Sequence, residues 1–539
     1  MTEFLRSHRG DFFGGLTAAI VALPLALAFG VASGAGALAG LWGAILVGFL
    51  AAVFGGTRHQ VSGPTGPMTV VMALIISQLG GNLTLAFAVV VLAGALQIVF
   101  GLARLGQYVK LVPHPVVSGF MSGIGVIIIV LQLAHGLGHE PPPGEVIEKL
   151  AALPAMIAAP GYEALLLCLF CLAVMIFTPR RVATLVPPPL IAIVAGTLAG
   201  VFLFPGAAVI GEIPTGLPQF TWPVLSLADL PTVLRYALIL AFLGSIDSLL
   251  TSLVADSVTR TYHDSNRELV GQGIGNMAAG LLGGIAGAGA TMRTLVNIRA
   301  GATSRLSGAF HALVLLVVVL GFGGAASHVP LAVLAGILLK VGYDIIDWPY
   351  LKRCRVAPRG DVVVMFVTLA ITVFIDLMTA VAVGVVMASL LFVARMADVQ
   401  MQGARVTRGN EQDAGLAPDE AAILDAAGGR IVLFQIEGPL SFGCARDVSR
   451  MMQSTAGRDA LVVDLSAVPF MDTSAAMALE EVILAMREKN DRVILCGLRQ
   501  PVRDTLEKTG VLAQLPAGQV AASRLQALES ARGFLAGAV

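Results

Sequence analysis

The sequence predicts a membrane domain of many helices followed by a smaller α/β domain. Of the 539 residues, 56% are hydrophobic and 13% are charged, and the mean hydropathy is +0.85. A soluble domain has about 25% charged residues. The deficit is uneven, because residues 1–399 contain 37 charged residues and the shorter stretch 400–539 contains 31. The first part is too apolar to be water-soluble, which excludes a single soluble enzyme.

Fourteen apolar segments predict a multi-pass protein of the lipid bilayer. Segments of about 17–25 apolar residues can cross a membrane. We place them near 12–33, 37–55, 64–79, 84–103, 115–135, 161–178, 188–204, 232–256, 270–285, 290–300, 307–325, 330–346, 360–377 and 379–396. The third and tenth segments are short.

The Lys and Arg residues predict the orientation of these segments. With a cytoplasmic N-terminus, sixteen of them, from Arg6 to Arg395, lie on the cytoplasmic side, whereas Lys149 and Arg235 lie on the other. Such a bias is typical of cytoplasmic loops. We therefore expect a cell (inner) membrane protein whose N-terminus and C-terminal domain are both cytoplasmic.

Composition and motifs exclude several function classes. The 34 basic and 34 acidic residues leave no net charge that would attract nucleic acid. The sequence has no metal-ligand cluster, nucleophile motif or phosphate-binding loop, so we predict neither an enzyme nor a cofactor.

Two interrupted segments occupy matching positions in the two halves of the membrane domain. Segment 2 is followed by the run Ser62-Gly-Pro-Thr-Gly-Pro-Met-Thr. Segment 9, which is the seventh segment after segment 2, is followed by the run Ala286-Gly-Ala-Gly-Ala-Thr-Met-Arg-Thr. Paired interruptions of this kind are typical of transporters built from inverted repeats, and they mark the binding site. We therefore predict a 7+7 inverted repeat, with a pair of ordinary helix kinks as the alternative.

The interrupted segments have the chemistry of an anion site. A helix that begins within the membrane presents unpaired N–H groups and the positive end of its dipole. Two such ends that face each other can bind a small anion. Pro64 and Pro67 suit a first helical turn. The hydroxyl groups that could orient the ligand belong to Thr65, Thr69, Thr291 and Thr294.

Asp247, in segment 8, is the acid that we expect to be functional. An ionisable residue at this depth is costly and marks a candidate site. Thr251 lies four residues later and therefore on the same helix face. Together they could bind a small cation, or Asp247 could carry a proton; a structural pairing with Arg293 is the third possibility. We expect Asp256, Asp264, Glu268, Arg260 and Arg267 to lie in a solvated cytoplasmic loop.

Several motifs of the membrane domain resemble those of the SulP anion permeases. They include Pro64-Thr-Gly-Pro-Met-Thr-Val-Val, Ile246-Asp-Ser-Leu-Leu-Thr-Ser and Gly287-Ala-Gly-Ala-Thr-Met-Arg-Thr. Within the family, the pattern is most similar to the sodium-dependent bicarbonate transporters of the BicA type. The resemblance implies a core domain that moves against a gate domain, and a homodimer.

The same resemblance implies the ions and their ligands. Thr65, with Thr69 near it and the backbone at Ala290 and Thr291, would bind the anion, with bicarbonate as the expected substrate. Sodium, the coupling ion and only metal, would be bound by Asp247, Thr251, Gly289, Ala290 and Thr291.

The C-terminal part resembles the STAS domain that follows such permeases. Strand-like runs begin at Ile431, Ala460 and Arg492, with helical runs near 443–455, 474–489 and 500–509 between and after them. We divide the chain into a transport domain (1–399), a flexible linker (400–429) and the STAS domain (430–539). Ser474 matches a serine that is phosphorylated in related anti-sigma-factor antagonists, where a cytoplasmic regulator could act. The alternative is that Asp472-Thr-Ser is a plain helix N-cap.

These observations predict a secondary active transporter that takes up bicarbonate with sodium. Two alternatives remain open. One is a proton-coupled symporter or an exchanger of sulfate or a dicarboxylate, and the other is an anion channel or membrane sensor that signals through the STAS domain.

Overall fold

The protein forms two compact units, residues 1–386 and 387–539, in a computed structural model. The structure describes residues 8–142, 146–183, 186–211, 218, 220, 222, 229–375, 377–408, 415–454 and 459–536. Arg6, the first of the predicted cytoplasmic residues, lies outside them. Each unit is described by itself.

The first unit is helical and has one pair of two-residue strands. In chain order its elements are α1 (Arg9–Ala32), α2 (Ala37–Phe54), β1 (Ser62–Gly63), α3 (Gly66–Gln78), α4 (Leu83–Leu102), a 3₁₀ helix (Leu105–Leu111), α5 (His114–Gly136), α6 (Val146–Ala158), α7 (Tyr162–Phe177), α8 (Arg180–Ala183), α9 (Pro188–Leu203), α10 (Leu230–Thr259), α11 (Ser265–Leu281), β2 (Ala288–Gly289), α12 (Thr291–Arg299), α13 (Leu306–Ala326), α14 (Leu331–Ile345), α15 (Trp348–Arg353), α16 (Arg359–Phe374) and α17 (Leu377–Gln402), which continues into the second unit.

A helix lies within each of the fourteen predicted segments. Six of the described helices are long and apolar enough to cross a membrane, or seven if α6 and α7, bent by 109°, form one span. The sequence did not indicate α6, because its 13 residues are too few for a span and include Glu148, Lys149 and Pro154. The number of spans itself stays a prediction.

The helices of the first unit pack in two groups. In one group, α11 packs on α4 and α2, and α13 packs on α1 and α2; in the other, α14 and α16 pack on α5. Small residues allow close contact between helices in a membrane. At the α4–α11 contact, a Cβ atom on Gly273 would lie 2.5 Å from the carbonyl oxygen of Gly94, so glycine is required there.

The second unit has a five-stranded sheet covered by helices on both faces. Its elements are β3 (Ala404–Thr407), α18 (Pro418–Ala426), β4 (Ile431–Glu437), α19 (Phe442–Gln453), β5 (Ala460–Ala467), α20 (Thr473–Glu488), β6 (Arg492–Cys496), α21 (Gln500–Lys508), a 3₁₀ helix (Val511–Gln514), β7 (Val520–Ala521) and α22 (Arg524–Ala536). The strand order is β3-β4-β5-β6-β7, with β3 antiparallel to β4 and the remaining pairs parallel.

Alternate residues of the central strands pack on opposite faces of this sheet. Val432 and Phe434 pack with α19, α20 and α21, whereas Ile431 and Leu433 pack with α18 and α22. A buried parallel sheet is expected to have apolar side chains on both faces. The predicted strands and helices of this domain are therefore confirmed to within a few residues.

The predicted flexible linker is wrong where the structure describes it. Within 400–429, Ala404–Thr407 forms the edge strand β3, and Pro418–Ala426 forms α18, whose Ile423 and Leu424 are buried against the sheet. The Gly- and Ala-rich composition suggested a linker, but Ile423 and Leu424 pack α18 on the sheet. Residues 409–414 lie outside the described part.

Asp472 caps α20, which confirms the N-cap interpretation. Its side chain accepts hydrogen bonds from the N–H groups of Ala475 (2.9 Å) and Phe442 (2.7 Å). Ser474 is exposed in the first turn of the helix, and its phosphorylation stays a prediction.

Arg524 anchors α18, and its replacement tests this contact. Its guanidinium group lies 2.8 Å from Glu420 and 3.4 Å from Asp464. We expect Arg524→Met to lower the local opening free energy of α18 by about 1–3 kcal/mol, because two poorly exposed carboxylates lose their partner. Hydrogen exchange of the amides in 418–426 measures this.

Arg430→Met is the matched control for this variant. Its ion pair with Asp459 is about half exposed on both sides (50% and 51%), and such pairs contribute little. Equal exchange in the two variants would contradict an anchoring role for Arg524.

Candidate functional site

The two interrupted segments meet in a short antiparallel ladder. Ser62 pairs with Gly289 and Gly63 pairs with Ala288. The ladder is extended by a hydrogen bond of 2.9 Å from the N–H of Ala290 to the carbonyl oxygen of Val61. Directly after the two strands begin α3, with Thr65 as N-cap, and α12, with Ala290 as N-cap. The predicted pair of half-helix ends is therefore held in one place.

Asp247 lies beside the beginning of α3. It is 8% exposed, and its Oδ2 atom accepts a hydrogen bond of 2.8 Å from the hydroxyl group of Thr65. This contact joins the predicted cation ligand to the predicted anion ligand, across 182 residues of sequence.

Thr251 makes the corresponding contact with the beginning of α12. Its hydroxyl group lies 3.0 Å from the carbonyl oxygen of Gly289 and 2.7 Å from the hydroxyl group of Thr291. The neighbouring Ser248 accepts a hydrogen bond of 3.0 Å from the N–H of Gly289. One face of α10 thus contacts both half-helices and brings together carboxylate, hydroxyl and carbonyl oxygens, which are the ligands of hard cations.

Three predicted anion ligands are partly occupied by other contacts. The Thr69 hydroxyl group donates to the carbonyl oxygen of Thr65 (2.8 Å), and that of Thr294 accepts from the N–H of Val61 (3.0 Å). The Ala290 N–H belongs to the ladder. The backbone N–H groups that can still bind the predicted anion are therefore those of Thr291 and the residues after it, at the beginning of α12.

Arg293 lies across the break before α3. It is 2% exposed, and its Nη2 atom donates a hydrogen bond of 2.5 Å to the carbonyl oxygen of Pro64. Its Nη1 atom is close to Gly63, where a Cβ atom would approach it to 2.9 Å. Gly63 also has a φ of +149°, which disfavours other residues.

The position of Arg293 tests the structural pairing with Asp247 that the sequence left open. Arg293 and Asp247 form no ion pair within the described residues, and Arg293 binds a backbone carbonyl instead. The direct structural pairing of these two residues is therefore not observed. A buried positive charge beside the two helix ends favours an anion there.

Glu268 is a second buried acid, and its predicted place in a solvated loop is wrong. It is 1% exposed in α11. One oxygen accepts from the N–H groups of Gly56 (2.9 Å) and Thr57 (2.8 Å), and the other from the side chains of Gln60 and Gln272 (both 2.8 Å). Four donors compensate the cost of burying its charge.

Glu268 is the first of three polar residues on one face of α11 that contact the ladder and the loop residues next to it. Gln272 donates to the Ser62 hydroxyl group (2.6 Å), and Asn276 exchanges two hydrogen bonds with the backbone of Gly287. The spacing of four between 268, 272 and 276 places them on one helix face. The spacing of four is visible in the sequence, but the buried partners of these side chains are not.

Comparison with known proteins shows the family of this chain. Residues 9–368 match the sulfate permease family, and residues 426–523 match the STAS domain. The chain belongs to the sulfate permease (SulP) family. The bicarbonate transporter BicA of Picosynechococcus sp. is 46% identical over 98% of this chain and 95% of that protein.

Solved structures of other transporters show the same fold. The transmembrane domain of a cyanobacterium bicarbonate transporter BicA is 52% identical, covers 70% of this chain and 98% of its own, and has a TM-score of 0.67. SLC26A9, at 18% identity, superposes over 98% of this chain and 91% of its own with a TM-score of 0.82, which shows the fold alone. This SulP chain is thus a multi-pass membrane transporter of small anions with a C-terminal STAS domain.

Glu268→Gln tests the support of the ladder. The amide replaces one acceptor oxygen by a donor that faces other donors, so we expect the free energy of unfolding to fall by roughly 2–3 kcal/mol. The thermal transition of the detergent-solubilised protein measures this. Glu163→Gln, at an exposed acid of α7, is the control; a transition lowered equally by both variants would contradict the assignment.

Proposed function

We propose that this SulP protein is a sodium-coupled symporter that takes up bicarbonate. The observation that carries the proposal is the hydrogen bond between Thr65 and Asp247. It sets a buried carboxylate, suited to a cation, against the N-terminus of a half-helix, which is suited to an anion. The 46% identity to a bicarbonate transporter supports bicarbonate as the anion.

Sodium would be bound by oxygen atoms from two elements. From α10 these are the carboxylate of Asp247 and the hydroxyl group of Thr251. The others belong to Gly289, Ala290 and Thr291, at the beginning of α12. Carbonyl and hydroxyl oxygens in this segment already lie 3.0 Å and 2.7 Å from the Thr251 hydroxyl group. Little rearrangement would be needed to replace these hydrogen bonds by ion contacts.

Coupling would follow from the charge of Asp247. An ionised carboxylate beside the beginning of α3 repels an anion, and the repulsion is strong because the site is buried. A bound sodium ion cancels this charge and frees the Thr65 hydroxyl group to turn to the anion. Each ion therefore raises the affinity for the other, as linkage requires.

The anion would be bound by Thr65, Thr69 and the first N–H groups of α3 and α12, and the positive charge of Arg293 would attract it.

Alternating access would move a core group of helices, which carries the site, against a gate group. In this proposal the chain crosses the inner membrane fourteen times as a 7+7 inverted repeat. The N-terminus and the STAS domain face the cytoplasm, where a regulator could act on Ser474, and the protein is a homodimer.

Uptake of labelled bicarbonate into proteoliposomes tests the proposed coupling. We expect uptake that requires an inward sodium gradient and that a pH gradient cannot replace. Sodium-independent uptake driven by an acid exterior would support the proton-coupled alternative, and sulfate that competes at equal concentration would support the sulfate alternative. Fluxes far above carrier rates would indicate a channel.

Asp247→Asn tests the assigned role of the carboxylate. Loss of the charge removes the strongest sodium ligand, so we expect sodium-dependent uptake to fall at least about 100-fold. Asp256→Asn is the matched control, since Asp256 lies on the same helix but is paired with His263 at 2.7 Å. Full sodium dependence in Asp247→Asn would overturn the assignment.

A further inference from the structure

The candidate anion site has polar groups on one side and apolar side chains on the other. Its polar groups belong to α3, α10 and α12, which carry Thr65, Asp247 and Arg293. The helices α5 and α14 pack on each other in the other helix group of the first unit. Both of them also contribute side chains that contact the site, and the described ones are apolar.

Two isoleucines pack on the first residue of the half-helix α3. A Cβ atom on Gly66 would lie 2.7 Å from Ile345 Cδ1 and 2.8 Å from Ile128 Cδ1. Ile345 belongs to α14 and Ile128 belongs to α5. Because a Cβ atom is only two bonds away from the backbone N atom, both methyl groups lie close to the Gly66 N–H group.

The Gly66 N–H group is one of two donors that the beginning of α3 offers. The first N–H groups of a helix have no partner within it, and Pro67, the second residue of α3, has no N–H group. The N–H of Thr69 already donates to the carbonyl oxygen of Thr65 (2.9 Å). Gly66 and Met68 therefore supply the donors, and an anion on the Gly66 N–H group would border on the two isoleucine methyl groups.

Apolar side chains continue along the same face of α5. They recur at a helical spacing of three to four residues, at Val117, Phe120, Met121, Ile124 and Ile128. The first three of them line a crevice of about 10 Å³ whose one polar residue, among the lining residues that the structure describes, is Asp247. These five residues and Ile345 form an apolar wall that extends from the Asp247 carboxylate to Gly66.

The polar residues of α5 and α14 do not interrupt this wall. In α14, Lys340 and Asp344 form an ion pair with each other at 2.6 Å, and α5 has no Asp, Glu, Lys or Arg residue. Ser118 and Ser122 share a different face of α5, where the Ser122 hydroxyl group accepts a hydrogen bond of 3.1 Å from the N–H of Asp347.

A site that is apolar on one side discriminates against doubly charged anions. The Born cost of removing an ion from water grows with the square of its charge, so it is about four times larger for sulfate than for a monovalent anion of equal radius. The attraction to donors and to the charge of Arg293 grows only in proportion to the charge of the anion. Methyl groups cannot donate hydrogen bonds, so the wall offsets none of the larger cost.

We propose that Ile128 and Ile345 are specificity-determining residues, which make the site select singly charged anions over sulfate. The inference rests on the proposed function for the position of the anion at the beginning of α3. It depends neither on bicarbonate as the transported anion nor on sodium as the coupling ion.

Replacement of both isoleucines by threonine or by valine tests the role of the apolar wall. Threonine and valine have nearly the same shape, so the two double variants leave the same space and differ only in polarity. We expect Ile128→Thr with Ile345→Thr to lower the preference for nitrate over sulfate about fivefold relative to Ile128→Val with Ile345→Val, because hydroxyl groups hydrogen-bond to charged partners. The measurement is the ratio of the inhibition constants of the two anions against labelled bicarbonate uptake, at constant sodium concentration and ionic strength.

Ile129→Thr with Ile346→Thr is the matched control. These residues are the chain neighbours of the two isoleucines but pack elsewhere, since Cβ atoms on Gly342 and Gly125 would lie 2.9 Å from Ile129 Cγ1 and 2.8 Å from Ile346 Cγ1. We expect the control to keep the native ratio. An equal loss of preference in the valine and threonine variants, or in the control, would overturn the proposal.

Titration calorimetry of the solubilised protein gives the same ratio without transport. The ligands are sodium nitrate and sodium sulfate, and we expect the native protein to bind nitrate more tightly. Where a double variant does not fold, Ile345→Thr against Ile345→Val, at a half-buried position, gives the same comparison with a smaller change.

The two readouts separate this inference from the proposed function. If the calorimetric preference falls in the threonine variant but no bicarbonate is transported, the role of the two isoleucines is correct and the proposed substrate is wrong. If bicarbonate uptake requires sodium but the native protein binds sulfate as tightly as nitrate, the proposed function is correct and the role of the isoleucines is wrong.

Discussion

The antiparallel pairing of Ser62–Gly63 with Ala288–Gly289 is the contact on which the site depends. Non-helical backbone within a membrane must have its polar groups satisfied by the protein itself. The two interruptions satisfy each other, and each then delivers a helix N-terminus to the same point. Asp247 and Thr251, on a third helix, gain their partners only because both beginnings are fixed there.

A buried polar network also holds the two paired loops in place. Glu268, Gln272 and Asn276 connect α11 to both loops, while Arg293 connects α12 to the loop before α3. Buried hydrogen bonds of this kind rigidify the backbone that they hold, although the Gln272 Oε1 and Arg293 Nη1 atoms have no partner. The network therefore links the two interrupted segments and the helices beside them into one connected unit.

The sequence was sufficient for most helices and strands and for the residues that the structure brings together at the candidate site. Apolar length indicated the helices, paired interruptions indicated the half-helices, and a lone acid in an apolar segment indicated Asp247. The sequence was insufficient where the role of a residue depends on partners that are distant in the chain. Glu268 looks like a loop acid until its four donors, more than 200 residues away for Gly56, Thr57 and Gln60, are in place. Likewise α18 looked like a linker because its anchoring sheet lies elsewhere in the chain.

The same pairing constrains how this protein is made. Pro64 and Arg293, on the two sides of the site, are 229 residues apart, so the first interruption can find its partner only after the chain has been synthesised as far as the second interruption. Until then the unpaired backbone around Ser62 cannot rest in lipid. The first interruption is therefore a complete structural element only in a chain that already contains the second one.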